Sequence, residues 1–212
     1  IVEEPGATAG GKNPFDSVRE AFGLLRGAAN VRRFIFARSL NVSIALVQPV
    51  YVLIAAERLG FSFSGLGTLL IASAGAALIS GWIWGRITDR SARFSLIVGP
   101  LLGVAVGVLF FLLPLIGGVA AGAIGHGVVL FLHNIAHAGA RIGRKTYLVN
   151  ATRDLDRAML SAAANTTIGI ATLALSALVS LVTGTVGMAA AAVVLIGLLF
   201  FGGLLAFRLD EV

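Results

Sequence analysis

The chain has 212 residues, 58% of them hydrophobic and only 12% charged, with a net charge of +6 and no cysteine. An ordinary soluble domain carries about twice that share of charge, and the missing cysteines exclude disulfides and thiolate metal sites. The basic excess does not point to nucleic acid, because the cations are confined to segments between long charge-free runs.

Residues 1–12 (IVEEPGATAGGK) are rich in Gly, Ala and Glu and read as a flexible linker. The chain begins with Ile, which suggests a piece of a longer or processed protein. Over 13–32 the pattern changes. Asn13 and Pro14 make a helix start, and Phe15, Val18, Phe22 and Leu25 recur at helical spacing. This predicts a short amphipathic segment, lying either on the membrane surface or against the protein's own cytoplasmic end.

The next 176 or so residues, 33–208, contain four runs without Asp, Glu, Lys or Arg: 39–56, 59–85, 94–140 and 158–207. A membrane-spanning helix needs roughly 20 apolar residues. The first two runs fit one span each. The last two fit two spans each, divided by turns at Pro114–Gly118 and Thr183–Gly187. The predicted spans are 33–56, 64–85, 94–114, 118–140, 159–182 and 186–207, with 209–212 as a short tail. Pro49 and Pro100 fall inside spans and should bend them. In the second span Gly67, Ala74, Gly81 and Gly85 align as a small-residue face suited to helix packing.

Six spans put both termini on one side. The segments on that side hold fifteen basic residues, and the other side holds only Arg58. The positive-inside bias makes the basic side cytoplasmic, and predicts a multi-pass protein of the cell (inner) membrane.

Polar side chains at membrane depth should face protein or water. In the fourth span His126, His133 and His137 lie within about 40° of one another, and Arg141 and Arg144 continue the stripe. At ~1.5 Å per residue, His126 is about 22 Å deeper than Arg141. In the first span Arg38, Asn41 and Gln48 share a face. A third stripe in the fifth span contains Ser161, Asn165, Gly169, Thr172, Ser176, Ser180 and Thr183; it reads first as packing, since Ser and Thr bond back to their own helix. The histidines suggest a cavity or a proton path, with interhelical hydrogen bonding as the plain alternative. His133 and His137 also have the i, i+4 spacing of a helical metal site. They lack the glutamate of H-E-x-x-H, and no carboxylate lies within any span, so metal and cofactor are not expected.

The turn after the second span, Gly85-Arg-Ile-Thr-Asp89-Arg90-Ser-Ala-Arg93, resembles the loop motif of the major facilitator superfamily, G-x-x-x-D-[RK]-x-G-[RK]-[RK]. It matches at Gly85, Asp89, Arg90 and Arg93 and departs at Ala92 and Phe94. The stretches Asn30–Arg38 and Arg141–Val149 are also similar to the second half of bacterial permeases of that superfamily. The resemblance implies an all-α, polytopic fold of six transmembrane helices arranged as two inverted three-helix repeats, half of a twelve-span transporter. It also implies that the first and fourth spans line a central cavity, and that Asp89 sits at a helix N-terminus or pairs with a nearby Arg to close the cytoplasmic side.

The expected function is secondary transport of a small solute by alternating access, coupled to protons through the histidine line. The expected partners are membrane lipid, the solute and an N-terminal six-helix half. The alternatives are a stand-alone half-transporter, an interaction scaffold and, as a minor one, a membrane metalloenzyme.

Overall fold

The computed structural model describes Gly23 and residues 29–60, 62–151 and 157–212, the side chains of 157–160 excepted. The expected linker over 1–12 and most of the amphipathic segment over 13–32 lie outside the described residues. What is described is all-α, without strands. In chain order the helices are α1 (Ala29–Asn41), α2 (Ser43–Arg58), α3 (Phe63–Arg90), α4 (Ala92–Ile116), α5 (Ala123–Ala151), α6 (Arg157–Thr185) and α7 (Met188–Ala206), with a 3₁₀ turn over Gly118–Ala121.

Five stretches are long and apolar enough to cross a membrane: the α1–α2 rod Ala29–Arg58, α3, α4, Ser161–Thr185 of α6, and α7. The protein is therefore membrane-embedded. The remaining long helix, α5, has 29 residues but carries three histidines and Asn134 among its apolar positions.

The first rod carries Pro49 within α2, and the division between α1 and α2 falls at Val42, which keeps a helical backbone. Local hydroxyls compete with the backbone there: Ser39 donates to the Ile35 carbonyl at 2.9 Å and Ser43 to that of Leu40 at 2.6 Å. Helix α3 starts on a cap, Ser62 Oγ accepting from the Gly65 amide at 3.2 Å. A single residue, Ser91, then ends α3 and caps α4 by accepting from the Phe94 amide at 2.9 Å.

Close packing is concentrated on α4 and α5. A Cβ added at Gly99 would meet the Ala140 backbone nitrogen at 2.7 Å, one at Gly103 the Leu199 side chain at 2.9 Å, and one at Gly107 the Tyr51 hydroxyl at 2.6 Å. These three glycines, spaced by four, let α4 approach α5, α7 and α2. Trp84 of α3 fills the space beside Gly139, and its indole N–H donates to the Ile135 carbonyl at 2.7 Å. The small-residue face predicted on α3 behaves differently. Nothing among the described residues lies within 4 Å of a Cβ built on Gly67, Gly81 or Gly85. No described helix packs there; the close-packed ridge runs along α4. Helix α7 is buried at Ala191, Ala192, Leu195 and Leu199, whereas α6 buries only Ala163, Ala164 and Ile168 among its described side chains.

Candidate functional site

The polar residues of the first rod and of α5 meet in the bundle, and they divide into two environments. The first is mid-bundle and tightly packed. His133 is fully buried, and its Nε2–H donates to the Ile44 carbonyl at 3.0 Å. That bond fixes the tautomer and leaves Nδ1 without a partner. His126 is 2% exposed, and its Nδ1–H donates back to the Gly122 carbonyl at 3.0 Å. Both rings pack edge-on against aromatic neighbours, His133 on Tyr51 at 5.3 Å and His126 on Phe110 at 5.7 Å. The space beside Tyr51, Phe110 and His126 has no room for a water molecule. These two histidines are core residues.

One helical turn further along, Gln48 Nε2 donates to Asn134 Oδ1 at 3.3 Å. Asn134 Nδ2 lies 3.3 Å from Ser73 Oγ and 2.8 Å from the Leu130 carbonyl. This network joins α2, α5 and α3.

The second environment is an open cavity of about 220 Å³ towards the arginine-rich end, between the first rod, α5 and α6. Its polar lining is Arg38, Asn41, His137, Arg141, Arg144 and Thr172, and Val42, Ile44, Leu96 and Ile168 close it on apolar sides. Arg38 reaches across to α6, where its Nη2 donates to Asn165 Oδ1 at 3.3 Å. Asn41 is 8% exposed with Oδ1 unpaired, and the Nε of Arg38 is also buried without a partner. Thus Arg38, Asn41 and His137 line one cavity with Asn165 beside it. Gln48 belongs to the packed network, as do His126 and His133 to the core. The periodicity that aligned the three histidines does not give them one shared surrounding.

The loop motif is built differently from the arrangement expected for it. Gly85, Asp89 and Arg90 sit on the last turns of α3, and Asp89 is exposed. Arg93, in the first turn of α4, donates from Nη2 to the Phe207 carbonyl at 2.7 Å and pairs with Glu211 at 3.8 Å. Among the described residues no ion pair involves Asp89. Ser91 Oγ donates to Glu211 at 2.5 Å. The C-terminal segment 209–212, expected as a short cytoplasmic tail, is held further. Asn30 Oδ1 accepts from the Asp210 amide at 3.1 Å, and the Tyr147 hydroxyl lies between Asn30 Oδ1 (3.0 Å) and the Asp210 carbonyl (2.9 Å). Leu209 is 2% exposed. Together these contacts tie the start of α1, the α3–α4 turn, the end of α5 and the C-terminus into one knot.

Six side chains of these networks had no place among the sequence candidates: Asn134, Ser73, Glu211, Tyr147, Asn30 and Ser91. Asn134 follows His133 directly and is the one with a visible signal, as a second amide at membrane depth. Among the described residues no three His, Asp or Glu side chains converge as metal ligands. No protein-family model, curated protein or solved structure matches the chain.

Proposed function

We propose that this chain is the C-terminal six-helix half of a major-facilitator-type secondary transporter, which moves a small solute by alternating access. In this reading all six rods cross the inner membrane, both termini are cytoplasmic, and the chain performs no covalent chemistry. The observation that carries the reading is the polar cavity of about 220 Å³ inside a membrane-embedded bundle, lined from the first rod and α5. Burying arginines and an amide in such a bundle costs free energy, and a solute path is the ordinary reason for retaining them.

A second feature supports the missing half. The outer faces of α3 and α6 carry small and polar residues, including Gly81, Asn165, Ser176 and Ser180, that this chain leaves exposed. Lipid is a poor solvent for such a face, and small and hydroxyl-bearing residues favour helix–helix contact. The N-terminal six-helix half is the proposed occupant. Within this reading His137 is the imidazole placed to exchange protons with cavity water, since of the three histidines it is the one that lines the cavity.

The absence of cysteine provides a clean test. A Thr172→Cys variant in oriented vesicles should react with a membrane-impermeant thiol reagent from either face, because alternating access exposes the cavity to each side in turn. Leu173→Cys, at a position 74% exposed on the outer face, should stay unreactive. Reaction of Thr172→Cys from one face only would favour a static scaffold.

A further inference from the structure

We propose that the cavity between α1, α5 and α6 binds an anionic group, a carboxylate or phosphate, held by the guanidinium groups of Arg38 and Arg144. The argument begins with charge. Among the described residues three arginines and a histidine line this space, and no carboxylate does. The described carboxylates are Glu57, Asp89, Asp210 and Glu211, and Glu211 is taken by Arg93. The cations are near enough to oppose one another: Arg144 acts on Arg38, and Arg141 acts on Arg144. Like charges gathered in a partly desolvated space are costly, and a bound anion converts that cost into attraction.

Hydrogen-bonding capacity points the same way. Arg38 spends one N–H on the neutral Asn165 oxygen at 3.3 Å and keeps a buried Nε–H unpaired. Asn41, 92% buried by its 8% exposure, has an amide oxygen without a partner. That oxygen packs against Gly202 of α7, where an added Cβ would meet it, so Asn41 borders the cavity and the donors offered to an anion are those of the guanidinium groups. The Thr172 hydroxyl donates to the Ile168 carbonyl at 2.7 Å, which leaves its oxygen lone pairs free for a protonated group of the ligand. Guanidinium forks match carboxylate and phosphate oxygens bidentately, which an ammonium does not.

Size narrows the class. At about 30 Å³ per water, a cavity of about 220 Å³ holds a solute the size of a short dicarboxylate or a small phosphate ester. Drug-sized ligands occupy roughly 300 Å³ and more. An anionic lipid headgroup offers the same chemistry, and Asn165 stands exposed at the mouth on α6.

As a substrate class this inference rests on the transport reading; as a binding site it does not. Thermal unfolding of the full-length protein in phosphatidylcholine nanodiscs, at constant ionic strength, separates the two. Succinate or inorganic phosphate should raise the midpoint saturably by a few degrees, as any ligand of the native state does. Arg38→Gln and Arg144→Gln should lose that rise. Arg144→Lys should weaken it about tenfold in concentration. Arg86→Gln should keep it, because Arg86 lies over Trp82 at 4.0 Å, outside the cavity. If only discs containing phosphatidylglycerol give an arginine-dependent rise, the anion site stands with lipid as its occupant. No rise with either source, or a rise indifferent to Arg38 and Arg144, overturns the proposal. The nanodisc experiment involves no gradient, so a protein that binds anions without transporting still scores. Two-faced reactivity of Thr172→Cys without anion binding would keep transport and remove the anion.

Discussion

Two adjoining stretches of α5, with His133 and His137 about one helical turn apart, make opposite use of the same residue type. Around His126 and His133 the helix is sealed against Tyr51 and Phe110, each imidazole spends one N–H on a backbone carbonyl, and no water fits beside them. Around His137 the same face opens onto a cavity with three arginines. The difference shows that a polar residue at membrane depth is not evidence of an aqueous path by itself. Local packing of the neighbouring helices decides whether it supports the core or meets solvent.

The comparison breaks most readily at the helix contact that keeps the sealed region closed. Gly99→Val places its branched side chain against the α5 backbone, where a Cβ alone already reaches the Ala140 nitrogen at 2.7 Å. Overpacking of this kind costs about 3 kcal/mol when the obstacle is main chain. The expected outcome is loss of most folded protein in detergent, measured by size-exclusion recovery after a heating series. Gly197→Val in α7, where an added Cβ meets no described residue within 4 Å, should recover like the parent in the same series.

The next effect sharpens the contrast between the histidines. His133→Ala removes a fully buried ring and orphans its bond to the Ile44 carbonyl, which should lower stability by about 2 kcal/mol. His137→Ala, at the cavity wall, should stay within about 0.5 kcal/mol of the parent. Chemical or thermal unfolding of the two variants side by side checks both. Equal losses would mean that the two positions share one environment.

Much of the fold was legible because hydrocarbon leaves so few options for a chain. The predicted span 94–114 becomes α4, Ala92–Ile116, and the span 186–207 becomes α7, Met188–Ala206. The ends were less legible. Arg86, Asp89 and Arg90 looked like a loop and form the last turns of α3; Arg141 to Ala151 continue α5 beyond its apolar part. Charge ends a membrane span without ending a helix.

The site was legible only helix by helix. Angular spacing put Arg38 with Asn41 and His137 with Arg144, and these four line one cavity. Spacing within one helix says nothing about which neighbour it meets. Gly67, Gly81 and Gly85 of α3 and Gly99, Gly103 and Gly107 of α4 follow similar repeats, yet among the described residues only the α4 set has other helices against it. For the same reason the role of Asn134 is not legible in its own helix, since it depends on Gln48 and Ser73 arriving from two other helices. The pairing of Arg93 with Glu211 spans 118 positions and has no local pattern at all.

The division of α5 into a dry half and a wet half is tested most directly by diethylpyrocarbonate modification of the folded protein in nanodiscs, with each histidine read by tandem mass spectrometry. The account predicts that His137 reacts while His126 and His133 are spared until the protein is unfolded. Modification of all three at similar rates would contradict it, because water would then have to reach the rings packed on Tyr51 and Phe110.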